Sequence, residues 1–274
     1  MSDTINVVCG DALETMRRLP AGAFDLVVTS PPYNLGGRPW PHLGNWKPGD
    51  SAGGRSKWRN GSDAGNGIQY DDHEDAIPWP EYVAWQRACL SEMWRAVGDR
   101  GAIFYNHKPR VIGAKLWTPQ ELVPPEVETR QIVVWARAGG LNFNPTAYLP
   151  THEWIMVFAK PGFRLKSKGA SGVGDVWTIP QEANPLHPAP FPVALPRRAI
   201  ETTGAKSVLD PFAGSGSTLI AALHEGVRAL GIEKSADYCA AIRQRLAEAR
   251  GEGRGGLFAA VQPSLFDSLT ESPS

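Results

Sequence analysis

The sequence predicts an α/β fold, with a mostly parallel sheet of seven strands and helices on both faces. Three observations carry that expectation. The N-terminal residues read as strand, helix and strand, which is a β-α-β unit. The apolar, β-branched run Phe24-Asp25-Leu26-Val27-Val28-Thr29 reads as a central buried strand that stops at Ser30-Pro31-Pro32-Tyr33. Near the other end, a strand, a Gly-x-Gly turn, a helix and a second strand ending in an acid follow one another from Ser207 to Glu233.

Taken in order, Ile5-Asn6-Val7-Val8-Cys9 is a short buried strand, and Ala12 to Leu19 has helical spacing that stops at Pro20-Ala21-Gly22. The Phe24–Thr29 strand cannot run through two prolines, because each lacks an N–H and fixes φ at about −65°. The residue before a proline is also driven out of the helical region. Ser30 and the Pro31 carbonyl therefore stand at the carboxyl end of that strand, with Tyr33 close behind, at the edge where open α/β sheets bind ligands. Taken alone, Pro-Pro-Tyr is equally what a Pro-rich turn looks like.

Residues 36–78 change character. The stretch is rich in Gly, Trp, Asn and Ser and has no sustained period. It carries Arg38, Lys47, Arg55, Lys57 and Arg59 among Trp40, Trp46 and Trp58, a mixture suited to phosphate contact and base stacking. Its Asp71-Asp72-His73-Glu74-Asp75 cluster reads as a solvated loop or helix start, so no metal site is expected.

Glu81 to Val97 is a helix, with Val83, Leu90, Met93, Trp94 and Val97 at core spacing and Gly98 closing it. Gly101–Asn106, Arg130–Trp135 and Glu153–Ala159 are further strands, the last two linked as an antiparallel pair through Asn142, Asn144 and Pro145. Gly162–Gly174 is polar and basic and is expected to be flexible. His187-Pro188-Ala189-Pro190-Phe191-Pro192 opens a helix that Gly204 stops. After the strand ending at Asp210 come a helix over Leu219–His224, a strand over Arg228–Ile232, and a helix over Ala236–Ala249 capped by Ser235.

Acidic and basic residues cancel, 28 against 28. That balance argues against an overall basic coat and leaves room for a local basic groove. The three cysteines, Cys9, Cys89 and Cys239, form no Cys-x-x-Cys pair and read as reduced, buried thiols of a cytoplasmic protein. The start, Met1-Ser2-Asp3-Thr4, is polar, and no apolar run approaches the roughly 20 residues of a membrane span, so neither a leader nor a membrane anchor is expected.

Strand, Gly-x-Gly, helix, strand and acid is the layout of a nucleoside-cofactor site: the glycines let the backbone approach the ligand, and the acid holds ribose hydroxyls. Asp210 before the glycines and Glu233 after the next strand strengthen it. The missing third glycine disfavours a dinucleotide, and no Gly-Lys-Ser/Thr indicates a triphosphate loop.

Asp210-Pro211-Phe212-Ala213-Gly214-Ser215-Gly216-Ser217-Thr218, together with Thr29-Ser30-Pro31-Pro32-Tyr33, resembles the amino-group DNA methyltransferases of bacteria and phages. The Pro-Pro-Tyr motif comes first and the Gly-rich motif late, which matches their β group. Gly10-Asp11, Thr151-His152-Glu153-Trp154, His187-Pro188 and Gly231-Ile232-Glu233 also stand where that family has motifs. The resemblance runs from Val7 to about Leu246, apart from the 36–78 insertion.

It implies a Rossmann-like, S-adenosylmethionine-dependent methyltransferase fold with circularly permuted motif order. The strand before Asp210 would then lie beside the strand before Ser30. It further implies S-adenosyl-L-methionine as cofactor. Asp11 would sit by the adenine, Phe212, Gly214 and Gly216 around the methionine portion, and Glu233 on the ribose. Ala12, Asp210, Ser215, Thr218, His187 and Pro188 complete the expected cofactor set. Phe212 could also face the sulfonium by a cation–π contact.

The chemistry at the tetrapeptide follows. An exocyclic amino nitrogen is a poor nucleophile because its lone pair is delocalised into the ring. Hydrogen bonds from its two hydrogens to the Ser30 hydroxyl and the Pro31 carbonyl localise that pair and aim it at the methyl. The base must leave the duplex stack, with Tyr33 stacking on it. Carbon-5 methylation would need a Pro-Cys nucleophile, which is absent. Within the family, serine at position 30 and the Pro190-Phe191 pair accompany cytosine N4, whereas a carboxylate or Asn accompanies adenine N6. Cytosine N4 is therefore expected, with adenine N6 as the alternative. Glutamine methyltransferases place the two motifs in the opposite order. A silent DNA-binding protein that has kept the fold is the reading from outside enzymology.

The expected organisation is a methyltransferase domain over 1–250, with 36–78 as a DNA-contacting insertion and 160–186 as a short target-recognition segment, then a disordered tail over 251–274. Expected partners are double-stranded DNA, a cognate restriction endonuclease, and a second copy in a homodimer. In the tail, Gln262-Pro263-Ser264-Leu265-Phe266 resembles the peptide that docks on the bacterial sliding clamp, through Gln262, Leu265 and Phe266. The expected setting is the bacterial cytoplasm, for a bacterial or phage protein.

Overall fold

The computed structural model describes residues 5–34, 77–112, 115–137, 147–182 and 191–251 of the 274. Outside the described residues lie all of the 36–78 insertion except its last two positions, and with it Arg38, Lys47, Arg55, Lys57, Arg59 and the Asp71–Asp75 cluster. His187, Pro188, Pro190 and the Gln262–Phe266 peptide lie outside them as well.

The chain runs β1 (Ile5–Cys9), α1 (Ala12–Arg18), β2 (Phe24–Thr29), α2 (Trp79–Ala96) and β3 (Val97–His107). A hairpin of β4 (Arg110–Ile112) and β5 (Lys115–Trp117) follows, then β6 (Thr129–Ala136), β7 (His152–Ala159), α3 (Lys168–Ser171) and β8 (Val176–Thr178). The remainder is α4 (Ala194–Thr203), β9 (Ser207–Asp210), α5 (Ser217–His224), β10 (Arg228–Glu233) and α6 (Ala236–Ala249). The main sheet has the order β1-β10-β9-β2-β3-β7-β6-β8. Its first five strands are mutually parallel, β7 runs antiparallel to both β3 and β6, and β8 is parallel to β6.

Strand alternation divides the core in two. Leu26, Val28, Phe104 and Val208 face α4, α5 and α6, whereas Val27, Ile103, Tyr105 and Leu209 face α1 and α2. Helices thus cover both faces, as the sequence predicts. The strand before Asp210 does lie beside the strand before Ser30, with Leu26 opposite Val208 and Val27 opposite Leu209.

Four expectations need correction. Among the described residues the sheet has eight strands, because Val176–Thr178 joins its far edge. Trp177 is 3% exposed there and stacks on Phe104, burial enough to order a three-residue strand beside a polar stretch. The 162–174 segment is accordingly not wholly irregular: α3 lies in it, and Lys166 N–H bonds the Thr202 carbonyl at 2.9 Å. Gly98 does not close α2. The chain passes straight from α2 into β3 at Val97, and Gly98 is the second residue of that strand. Finally, Cys9 and Cys239 are not separate thiols. The sheet brings the end of β1 against the start of α6, their Cα atoms stand 6.0 Å apart, and the two sulfurs are joined as a disulfide, with Cys9 on the exposed side. Cys89 is a buried free thiol, its pKa pushed up by burial.

No helix among the described residues is long and apolar enough to cross a membrane.

Candidate active site

Because β1, β10, β9, β2 and β3 are parallel, their carboxyl ends share one edge, and residues far apart in sequence meet there. Cys9 pairs with Glu233 in register, and Gly10 N–H bonds the Glu233 carbonyl at 2.8 Å, which sets Asp11 beside Glu233. Asp11 caps α1 by accepting from Glu14 N–H at 3.0 Å. The Glu233 carboxylate is held by two backbone donors, Gly214 N–H at 2.8 Å and Ser235 N–H at 2.9 Å. The turn from Asp210 to Ser217 needs its glycines: Gly214 and Gly216 have φ of 51° and 83°, a region that L side chains rarely adopt. Arg245 of α6 holds that turn from outside, donating to the Ser215 carbonyl at 2.9 Å.

Asp210 joins this turn to the tetrapeptide. It is 3% exposed and accepts from the Thr29 hydroxyl at 2.7 Å and from Phe212 N–H at 3.1 Å. Burial raises its pKa from 3.8 to about 6, against the opposing hydrogen bonds from Thr218, Thr29 and Phe212. Thr218 also reaches the Val28 carbonyl at 3.4 Å. Two motifs more than 180 residues apart are thus one structure.

Around the tetrapeptide the polar groups fall into two sets. Behind it, the Pro32 carbonyl accepts from Tyr82 hydroxyl at 2.9 Å and from Gln86 Nε2 at 3.2 Å. Gln86 Oε1 in turn accepts from Tyr105 hydroxyl at 2.7 Å, and Gln86 Nε2 also donates to Tyr82 at 3.2 Å. Lys108 N–H donates to His107 Nδ1 at 2.9 Å, so the imidazole proton sits on Nε2 and is donated to the Tyr82 oxygen 3.1 Å away. His107 is fully buried, and burial, with Arg110 nearby, lowers its pKa from 6.5 to about 3. Its ring stacks on Tyr33, with centroids 4.3 Å apart, so one face of the tyrosine is covered by protein. Arg110 donates to the Tyr33 carbonyl at 3.3 Å. Among the described residues nothing donates to the Pro31 carbonyl, in contrast to that of Pro32.

In front, Ser30 Oγ lies 3.1 Å from the Tyr33 hydroxyl, which donates to Glu153 Oε2 at 3.1 Å. Asn106 Nδ2 donates to Tyr33 at 2.7 Å and to Glu153 Oε2 at 2.9 Å, with Ser30 Oγ at 3.4 Å. Arg137 pairs with Glu153 Oε1 at 3.2 Å, both side chains nearly buried. Lys108 stands near this pair, and burial and Arg137 lower its pKa.

The structure therefore gathers Asp11, Ala12, Asp210, Phe212, Gly214, Ser215, Gly216, Thr218 and Glu233 along the edge that holds Ser30, Pro31, Pro32 and Tyr33. Phe212 packs against Trp85 of α2 at 5.6 Å, edge to face. The residues the sequence did not single out are Asn106, Arg137, Tyr82, Gln86 and His107, and Glu153 entered only as part of the Thr151–Trp154 motif, with no role given to it. The available signal was an acid and an amide inside apolar strands, Glu153 and Asn106, each too costly to bury without a partner.

Residues 24–244 match the family model described as DNA methylase. The type II methyltransferase M.ScaI of Streptomyces caespitosus is 25% identical over 275 residues, covering 84% of this chain and 77% of its own. Among solved structures, the cytosine-N4-specific PvuII DNA methyltransferase superposes with a TM-score of 0.63 at 16% identity, covering 91% of this chain and 93% of its own. TTHA0409 of Thermus thermophilus, solved in complex with S-adenosyl-L-methionine, gives 0.60 at 23% identity, covering 90% and 94%. These structural likenesses bear on the fold.

Proposed function

The chain belongs to the N6/N4 DNA methylase family, and from that premise we propose that it methylates the exocyclic N4 amino group of a cytosine flipped out of duplex DNA, using S-adenosyl-L-methionine. The carrying observation is the Thr29–Asp210 hydrogen bond, which fuses a nucleoside-type cradle to a turn built to receive an amino group.

The cradle fits the cofactor. Glu233 is fixed by two N–H groups with its carboxylate at the edge where ribose hydroxyls would lie, Asp11 stands beside it for the adenine, and the positive-φ glycines let the backbone approach closely. The half-buried Phe212 ring offers a π-face to a sulfonium. When bound, S-adenosyl-L-methionine supplies an electrophilic methyl group. The chain's own residues then orient the base: one amino hydrogen goes to Ser30 Oγ and the other to the Pro31 carbonyl. Because Pro32 is clamped from behind by Tyr82 and Gln86, these acceptors keep their places as the nitrogen pyramidalises.

Cytosine is favoured over adenine by Ser30, a hydroxyl where a carboxylate or Asn accompanies adenine in the family. Contacts to DNA are assigned to Arg38, Lys47, Arg55, Lys57 and Arg59 of the 36–78 insertion, shared with the 160–186 segment. The test is mass spectrometry of nucleosides from DNA incubated with the protein and S-adenosyl-L-methionine. N4-methylcytosine, lost in Ser30→Ala, is the expected outcome. N6-methyladenine would overturn the base assignment and leave the mechanism.

A further inference from the structure

We infer that Glu153 is the terminal proton acceptor of a hydroxyl relay that runs from the reacting amino group through Ser30 and Tyr33. The inference rests on the reading of the tetrapeptide given above and adds a residue and a role to it.

The polarity of the hydrogen bonds carries the argument. Glu153 Oε2 is a carboxylate oxygen and only accepts, so Tyr33 donates to it at 3.1 Å. Asn106 Nδ2 donates to both, and the reverse amide orientation would set its oxygen against the carboxylate. With its own proton committed to Glu153, the Tyr33 oxygen accepts from Ser30 at 3.1 Å. Ser30 thereby turns its hydrogen inward and, with Asn106 Nδ2 facing its oxygen at 3.4 Å, keeps one lone pair for the base. One buried carboxylate, held by Arg137 at 3.2 Å, thus makes the Ser30 hydroxyl an acceptor rather than a donor toward the base.

The same chain disposes of the proton that methylation releases. As the nitrogen–methyl bond forms, the methyl–sulfur bond breaks with its electron pair left on sulfur, and the amino nitrogen becomes cationic. Its proton passes to Ser30 Oγ, the Ser30 proton to Tyr33, and the Tyr33 proton to Glu153. The products are a neutral methylamino group, intact serine and tyrosine hydroxyls, and a neutral carboxylic acid. The positive charge lost from sulfur and the negative charge lost from Glu153 balance.

The test compares wild type, Glu153→Gln, Tyr33→Phe, their double variant and Glu153→Ala in single-turnover methylation of unmodified genomic DNA. Calorimetry of S-adenosyl-L-methionine binding and gel-shift titration of the DNA accompany it. Glu153→Gln is expected to bind both ligands within about twofold of wild type and to react about 100-fold more slowly. Tyr33→Phe should match it, and the double variant should be no slower than either. Formate should restore at least about tenfold to Glu153→Ala, in proportion to its ionised fraction, and leave wild type unchanged. In the cofactor-free proteins, the infrared difference spectrum should contain an ionised carboxylate band that Glu153→Gln removes. Wild-type speed in Glu153→Gln, or a slow Glu153→Ala that formate does not help, overturns the relay alone. A wild type that methylates no DNA overturns the parent reading and the relay together.

Discussion

At the scale of single residues, two buried titrating groups sit beneath the site and respond to pH in opposite directions. His107 has its pKa depressed from 6.5 to about 3, so its stability contribution is complete above pH 6.5 and is lost as the pH falls toward 3. Asp210 has its pKa raised from 3.8 to about 6, so its contribution is complete below pH 3.8 and is lost as the pH rises through 6. Between pH 6 and 3.8 the two slopes oppose each other and nearly cancel, so the fold should weaken by about 1 kcal/mol or less on acidification from pH 6.5 to 4. Denaturant unfolding at pH 4, 5, 6 and 7 tests this. His107→Gln should turn the nearly flat profile into one that gains stability on acidification, whereas Asp210→Asn should uncover the acid loss and gain relative stability at pH 7. An Asp210→Asn variant with the wild-type pH slope would contradict the assignment. Neither group's environment is legible in the sequence. The apolar strand around His107 hides the fact that its neighbours are Tyr82 and Tyr33, and Asp210 looks like any acid before a turn until β2 is laid alongside it.

At the scale of elements, α2 shows where pattern reading stops. Its apolar spacing finds the helix, but its inner face also contains Gln86, fully buried, which by type alone belongs in solvent. Gln86 is there because Tyr105 and the Pro32 carbonyl need it. Gln86→Leu should leave the Tyr105 hydroxyl and the Pro32 carbonyl each short of a partner and cost about 1–3 kcal/mol. It should also slow methyl transfer more than it weakens DNA binding, since the turn loses one of its two clamps. Equilibrium unfolding and single-turnover kinetics together check this. In α5 the N-terminal Gly216, at φ 83°, would as alanine carry a methyl 3.1 Å from Ile242 Cγ1. Gly216→Ala should cost about 1–2 kcal/mol from backbone strain alone and weaken cofactor binding, readable by calorimetry. The strands themselves were mostly legible, because parallel strands buried on both faces leave unbroken apolar runs such as Leu26-Val27-Val28. Val176–Thr178 was not, since three residues are too few for any period to register, and neither was the β4–β5 hairpin.

At the scale of the whole molecule, the site exists because strands from the two ends of the chain interleave. The Pro-Pro-Tyr turn and the Gly-rich turn could each be read from sequence, but their hydrogen-bonded junction at Thr29 and Asp210 is a property of the sheet order, which the resemblance alone anticipated. The same order governs how the protein is made. Among the described strands, β1, the first to be synthesised, has β10 as its one neighbour in the sheet, and one edge of β2 belongs to β9. At roughly 5–20 residues per second, β1 waits on the order of ten to forty seconds for its partner, and for most of that time β2 presents a bare apolar edge. Nascent chains stalled at Lys206 should be degraded by protease over the β1–β2 segment, whereas released full-length chains should be protected there. A gene interrupted anywhere before β9 should therefore yield an aggregating fragment rather than a weak enzyme.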